Sequence, residues 1–314
     1  MTTVDVASRP TVALRWPTFA GPSWRRCDGA QLEKERRSLM IGLNIAEGRE
    51  AEVYTWDSDA AVVLKLYRPG YSGHVAESAA LTELGGGVAP RLVDVLEIDG
   101  RHGLILERLD GSDMLALLQR QPWRLLGYAT TLAEAHIRIH SVQAPPDLPD
   151  ATQALATRID DAALRPQLHD FARRTLDGLP TGDRLCHGDF HPGNVLVGAD
   201  QVRVIDWANA TRGVPESDFA RTMLLLKQAD PLPGTSLIFR GLMAAGRSLF
   251  AHAYARAYRQ HNRDRLKQVD SWAVVHAAAR LAEGIKVEEP RLIAFLDSAR
   301  RTARARRRPR DRRP

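Results

Sequence analysis

Apolar and polar positions alternate through the first third of the chain beyond residue 40, and the spacing lengthens to that of amphipathic helices after residue 110. Leu43–Trp56 predicts two strands joined by a turn at Gly48, and Ala60–Tyr67 predicts a third. His74–Leu84 has helical periodicity and stops at Gly85-Gly86-Gly87. Arg91–Ile98 and Gly103–Leu109 then alternate as a hairpin turning at Asp99-Gly100. Helices are predicted at Met114–Gln119, at Leu125–Ile139, and over Thr152–Leu179 with an interruption near Pro166, the loop Pro145–Asp150 punctuating them. A short apolar hairpin follows, Val195–Val197 and Val202–Ile205 around a Gly198-Ala199-Asp200 turn. The remainder reads as helices beginning at Asp218 and spanning roughly 235–260, 264–285 and 290–303.

Chemistry concentrates around that short hairpin. The run Cys186-His187-Gly188-Asp189-Phe190-His191-Pro192-Gly193-Asn194 precedes it, and Val204-Ile205-Asp206-Trp207 closes it. A carboxylate, an amide five residues later and a second carboxylate beyond the hairpin meet the needs of Mg·ATP phosphoryl transfer: one base or orienting group and two hard oxygen ligands. Those roles fall to Asp189, Asn194 and Asp206. Pro192 and Gly193 forbid a regular helix between base and amide, so residues 187–194 are expected to form a tight loop that turns both side chains toward one cavity. Zinc is a competing reading of His187 and His191, with Cys186 and Asp189 beside them. A pair of zinc histidines four apart needs a helix, which Gly188, Pro192 and Gly193 oppose, so His191 is better read as bonding its own loop.

With these residues on the page, the run HGDFHPGN and the later IDW resemble the aminoglycoside phosphotransferase family, small-molecule kinases related to choline and fructosamine kinases. The resemblance implies an α+β, protein-kinase-like fold of two lobes, a small β-rich N-terminal lobe over 40–109 and a larger, mostly helical C-terminal lobe over 110–299. It implies that Asp189 is the catalytic base, that His187 holds the catalytic loop in shape, and that Asn194 and Asp206 bind Mg²⁺. Lys65 stands in its strand where the family places the lysine that contacts the α- and β-phosphates of ATP. Glu77, followed four residues later by Leu81, matches the family's helix carboxylate that pairs with this lysine, Glu83 being the alternative. Gly48 marks the phosphate loop, and backbone groups of Glu107 and Leu109 are expected at the inter-lobe hinge against the adenine edge. The element Asp218-Phe219-Ala220-Arg221 resembles one whose aspartate braces the catalytic loop; a bare acidic helix start is the plainer reading.

The phosphate loop departs from the family pattern. Ala46-Glu47-Gly48-Arg49-Glu50 carries one glycine where two or three are usual, and its two glutamates would repel a triphosphate unless they turn away. Arg49 offers compensation.

Composition bounds the remaining possibilities. The chain has 314 residues, 44% of them apolar, ample for a core. It lacks an apolar run long enough for a membrane helix, and no signal peptide is evident. Cys27 and Cys186 form no disulfide framework, which points to a reducing cytoplasm. Residues 1–39, with Pro10, Pro17 and Pro22, read as a loosely ordered extension. Residues 300–314 hold nine arginines and one aspartate, so the overall charge of +6 belongs to this end. It reads as a disordered tail able to bind nucleic acid nonspecifically, or as a solvated terminus without a task.

The expected activity is transfer of the γ-phosphoryl group of ATP to a hydroxyl of a small molecule: an aminoglycoside, amino alcohol, sugar or related metabolite. Asp160, Asp161, Glu283, Glu288 and Glu289 are the acidic residues available to a cationic acceptor. The alternative is a nucleotide-binding regulator of the same fold without turnover. A protein kinase is disfavoured by the short interval between Asp206 and the helix at Asp218, and no protein partner is implied.

Overall fold

Val62, Leu64 and Leu66 point to one face of a strand, and Val63, Lys65 and Tyr67 to the other, so the period of two decides at once which side carries the lysine. This strand, β3 (Val62–Tyr67), is the centre of a five-stranded antiparallel sheet with β1 (Ile41–Glu47), β2 (Ala51–Trp56), β4 (Leu92–Ile98) and β5 (Arg101–Glu107), ordered β1-β2-β3-β5-β4. Lys65 pairs with Val53 on one side and Leu104 on the other. The structure is a computed structural model that describes residues 40–57, 59–199, 201–228, 237–261 and 266–307. The extension expected over 1–39 lies outside the described residues.

Two apolar clusters line the two faces of this sheet. Val62, Leu64, Leu66, Leu96, Ile98 and Ile105 pack together on one, with Ile41, Tyr54 and Trp56 against them. The other joins Tyr67, Leu104 and Leu106 to helix α1 (Gly73–Leu84) and onward to the helical lobe. Helix α1 buries Ala76, Glu77, Ala80 and Leu81. It ends where Gly85 adopts φ of +57°, and the Gly85 N–H closes the last turn on Leu81 O at 3.1 Å.

The helical lobe contains α2 (Met114–Arg120), α3 (Leu125–Ser141), α4 (Ala151–Asp161), α5 (Pro166–Asp177), α6 (Pro215–Gln228), α7 (Leu237–His261), α8 (Val269–Arg280) and α9 (Glu289–Arg307). The predicted helix over 152–179 is thus two helices, parted at 162–165 because Pro166 favours a first-turn position and extends the residue before it. The helix expected over 264–285 is shorter: α8 gives way to a 3₁₀ turn, Leu281–Glu283, that ends at Gly284 with φ of +67°. The tail reading needs correction. Helix α9 runs through Arg307, so residues 300–307 are helical rather than disordered, and residues 308–314 lie outside the described residues. Leu292 and Leu296 anchor α9 in a core shared with α4, α5 and α8, and the helix continues from that anchored turn because Ala and Arg are strong helix formers.

The short apolar hairpin forms as β8 (Val195–Val197) and β9 (Val202–Val204), joined by β6 (Ser112–Asp113) in the order β6-β8-β9. A second small sheet pairs β7 (Arg184–Cys186) with β10 (Thr211–Gly213). β6, β7 and β10 were not predicted, being too short to display any period. Together the two ribbons hold the loop 187–194 at the junction of the lobes, above a core of Phe190, Trp207, Phe219, Tyr254 and Tyr258.

Candidate active site

Lys65 Nζ lies 2.7 Å from Glu77 Oε2 and 2.8 Å from Asp206 Oδ1. Strand β3 carries the lysine, α1 brings Glu77 across the sheet, and the end of the β8–β9 hairpin delivers Asp206. Burial would lower the pKa of the Lys65 ammonium, but the two carboxylates outweigh it and hold the pKa above the ordinary range. The same pairing holds Asp206 below the usual carboxylate range against the opposing effect of burial. Asp206 adopts φ of +65°, an uncommon conformation for a residue with a Cβ, and it breaks from the strand there to face the lysine. Tyr67, on the lysine's face of β3, donates its hydroxyl to Glu77 Oε2, while Trp207 N–H donates to Glu77 Oε1 at 3.1 Å. Glu83, the alternative partner, lies on an exposed turn of α1.

The loop 187–194 depends on a close backbone approach. Gly188 has φ of +78°, and a Cβ there would stand 2.2 Å from Asn209 O, so only glycine fits. His187 is buried. It donates Nε2–H to Ile205 O at 3.0 Å and accepts the Asp189 N–H on Nδ1 at 3.2 Å, locking the residue before Asp206 to the residue proposed as base. His191 Nδ1 accepts the Gly193 N–H at 3.1 Å, as expected of a side chain bonding its own loop. The two histidines therefore do not converge as a zinc site would require. Asn194 donates Nδ2 to Asp189 O at 3.0 Å, and its own backbone O accepts the Ile205 N–H at 3.0 Å.

Beneath this loop Asp218, at the start of α6, is fully enclosed. Its Oδ2 accepts His187 N–H at 2.6 Å and the Nε2–H groups of His136 and His140 at 3.1 and 3.2 Å; its Oδ1 accepts Gly188 N–H at 3.0 Å. The far ring nitrogens of the two histidines take hydroxyl protons from Tyr254 and Tyr258 at 2.6 and 2.7 Å. Burial alone would raise the carboxyl pKa, but these hydrogen bonds hold it well below normal. His136 is pushed down to about 3, chiefly by burial and next by His140, and is neutral. His136, His140 and Asp218 bring their ligand atoms within 4.8 Å of one another, as a metal set might, yet every ring nitrogen is already engaged. The cluster is a hydrogen-bonded brace for the loop 187–194.

Asp189 is partly exposed. Arg221 Nη2 stands 3.4 Å from its Oδ1 and His191 Nε2 3.7 Å from its Oδ2. Arg221 is also bound to Gly188 O and to Glu283. Arg158, on α4, donates to Asn209 Oδ1 at 2.7 Å. On the opposite lobe, Arg68 draws Glu47 aside at 2.5 Å, so this glutamate of the phosphate loop does turn away. Glu50 does not: it is half-buried within the fields of Asp206 and Lys65, and burial followed by Asp206 raises its pKa. Gly48 N–H is committed to Ala51 O at 2.9 Å. At the end of β5 Glu107 N–H is bonded to Arg91 O at 2.9 Å, and Leu109 follows beyond the strand.

Tyr67, His136, His140, Arg158 and Arg221 were not assigned places in the site from sequence. Tyr67 had a signal, since it shares the lysine's face of β3. The others are brought in by helices far away in sequence, and nothing local distinguishes them from ordinary helix-surface residues.

The donor chemistry suits Mg²⁺. The Asn194 amide nitrogen is spent on Asp189 O, which leaves its Oδ1 as the atom able to take a cation, and Asp206 keeps one oxygen beyond the one on Lys65, with nearly half of its side chain exposed. An amide oxygen and a carboxylate are hard ligands of the kind this ion takes beside phosphate oxygens and water.

Comparison with known proteins agrees with this geometry. A family model described as the phosphotransferase enzyme family matches residues 42–269, the stretch that runs from β1 past Lys65, Asp189, Asp206 and Asp218. A hydroxyurea phosphotransferase from Kitasatospora aureofaciens is 36% identical over 173 residues, which cover 51% of this chain and 46% of that protein. The match thus spans about half the length of that relative. Among solved structures, a thermostable mutant of the aminoglycoside phosphotransferase APH(4)-Ia aligns with a TM-score of 0.60 at 15% identity, covering 83% of this chain and 94% of that one. The amicoumacin kinase hAmiN, solved with AMP-PNP, Ca²⁺ and Ami, aligns with a TM-score of 0.58 at 14% identity over 88% of this chain and 94% of the other. At such identities these two establish the fold, which is protein-kinase-like with a β-sheet lobe and a helical lobe. Since the family match covers nearly three quarters of the chain and encloses Lys65, Asp189 and Asp206 alike, the protein belongs to the phosphotransferase enzyme family.

Proposed function

We propose that this protein is an ATP-dependent kinase of a small hydroxylated molecule. The observation that carries the reading is the meeting of Lys65, Glu77 and Asp206 within 2.8 Å, beside a loop that presents Asp189 and Asn194. Lys65 is placed to neutralise the α- and β-phosphates, with Glu77 holding it. Asn194 and Asp206 would hold Mg²⁺, which when bound screens the charge of the transferring phosphoryl group. Asp189 orients the acceptor hydroxyl and takes its proton as the hydroxyl oxygen bonds the γ-phosphorus; the β–γ bridging oxygen leaves with ADP. Arg221 steadies Asp189 without quenching it, its stronger contact being with Glu283 at 2.9 Å. Positioning and charge stabilisation supply most of the rate in such a site.

The nucleotide reading draws support from the AMP-PNP and divalent ion named with hAmiN, and the acceptor class from the small molecules named with the relatives. The test is Mg-dependent ATP consumption by the purified protein across a panel of hydroxylated amines, sugars, nucleosides and N-hydroxy compounds, with Asp189→Ala as control. Acceptor-dependent turnover lost in the variant supports the kinase. Firm Mg·ATP binding with no transfer to any acceptor favours a nucleotide-binding regulator instead.

A further inference from the structure

The acceptor side of Asp189 has an unusual charge balance. Glu283 shares Arg221 with the base, and it is doubly occupied: Arg221 takes one oxygen at 2.9 Å and Arg280 the other at 2.6 Å. Arg280 closes further onto Glu288 with two more contacts, at 2.8 and 2.9 Å. Burial would raise the Glu283 pKa, but Arg221 and Arg280 hold it below the ordinary range. An acceptor ammonium seeking this carboxylate would have to displace a guanidinium that is only 6% exposed, leaving a buried charge without its partner.

Arg158 is in the opposite position. Among the described residues its one hydrogen bond goes to the neutral Oδ1 of Asn209, and no carboxylate lies within 4 Å of it. Burial, then repulsion from Arg221, lowers its pKa, while Glu283, Asp189 and Glu50, none of them in contact with it, act the other way. Arg158 lines a cavity of about 40 Å³ together with Asn209, Gly188, Arg221 and Asp218, against the loop 187–194. That space takes one or two waters or a group of similar size. A guanidinium carries five donors in a planar fork, and the fork fits a planar group with oxygen acceptors.

We propose that the acceptor of this kinase carries a carboxylate or amide-type carbonyl next to its reacting hydroxyl, that Arg158 binds this group, and that cationic acceptors are excluded. The proposal rests on the reading of Asp189 as the base of a kinase. It makes Arg158 the specificity-determining residue and keeps the acceptor small, since the oxygen-bearing group must enter the narrow space behind Gly188.

Three matched two-carbon alcohols test it: glycolate, glycolamide and ethanolamine, which differ only in a carboxylate, a carboxamide or an ammonium beside the same hydroxymethyl group. Their binding to the full chain with Mg·AMP-PNP is measured by ligand-observed NMR, for the parent, Arg158→Gln and Arg158→Lys, with nucleotide affinity and melting temperature recorded on the same samples. Glycolate, glycolamide or both should bind at least tenfold more tightly than ethanolamine. That preference should disappear in Arg158→Gln and persist in weakened form in Arg158→Lys, with AMP-PNP affinity unchanged in both. Equal or tighter binding of ethanolamine, a preference indifferent to Arg158, or silence from all three probes while AMP-PNP binds, would overturn the proposal and leave the kinase reading standing. Failure of the parent to bind AMP-PNP with Mg²⁺ would bring down the kinase reading itself.

Discussion

Trp207 N–H and Glu77 Oε1 are joined by a hydrogen bond of 3.1 Å across 130 residues of sequence. Glu77 thereby clamps three things at once: the Lys65 ammonium, the Tyr67 hydroxyl and the backbone directly after Asp206. The position of α1 is thus coupled to the positions of both the lysine and the proposed metal ligand. With its charge removed, Glu77→Gln should leave Lys65 drawn to Asp206 alone. KM for ATP should rise and kcat should fall by roughly ten- to a hundredfold, an interaction of about 1.4 kcal/mol per decade. Steady-state kinetics with the acceptor fixed, beside a melting curve, check this.

Asp189 and Asp206 should separate in their effects. Asp189→Asn should keep Mg·ATP affinity within a few fold while losing turnover by ~10²–10⁴, the usual contribution of a positioned base. Asp206→Asn should lose the dependence of nucleotide affinity on Mg²⁺. Calorimetric titration of each variant with AMP-PNP, with and without the ion, distinguishes them. Equal loss of metal-dependent binding in both would mean that the two roles are not divided as proposed.

Glu50 is the carboxylate that the phosphate loop turns inward. Held near Asp206 and Lys65 with a raised pKa, it opposes the arrival of a triphosphate. Glu50→Gln is expected to tighten ATP binding by a factor of a few to ten, with the larger gain at higher pH, where the parent carboxylate is ionised. An unchanged or weaker affinity at pH 8 would show that Glu50 helps the nucleotide rather than hindering it.

Asp218 should matter twice. Asp218→Asn removes a buried acceptor of four hydrogen bonds and puts an amide where His136, His140 and two backbone N–H groups all donate. A loss of about 3–5 kcal/mol is expected, because the donors left behind are buried. Urea unfolding measures it. In whatever fraction remains folded, turnover should fall more than ATP affinity, because the loop under Asp189 has lost its brace.

Two buried histidines set the response to acid. His136 and His276 are both pushed down to about 3, chiefly by burial, and His276 sits with its Nε2 2.9 Å from Ser217 Oγ. Each is neutral in the folded chain and takes up a proton near pH 6.5 once unfolded. Their contribution is therefore present above about pH 6.5 and is lost as pH falls toward 3, at up to ~1.4 kcal/mol per pH unit for each. Melting temperature should drop steeply between pH 6.5 and 4.5. His276→Gln, which keeps a partner for Ser217, should flatten part of that slope.

The sequence by itself determined the elements whose signals are local. Alternation fixed the five strands of the sheet and the face on which Lys65 lies, and glycine marked the end of α1. Pro192, Gly193 and the polar residues around them defined the catalytic loop, because backbone conformation there depends on the residues themselves. Spacing alone singled out Asp189, Asn194 and Asp206. The tertiary structure decided what those residues meet. Glu77 reaches Trp207, Asp218 gathers His136 and His140 under the loop, and Arg221 and Arg280 claim Glu283, all through contacts between helices and loops far apart in sequence. Such pairings follow from helix packing, and a half-buried arginine such as Arg158 resembles any solvated one until the fold shows which charges stand near it. The tail makes the same point in reverse: a block of arginines reads as disorder in isolation, yet residues 300–307 are helical because Leu292 and Leu296 pin the preceding turns to the core.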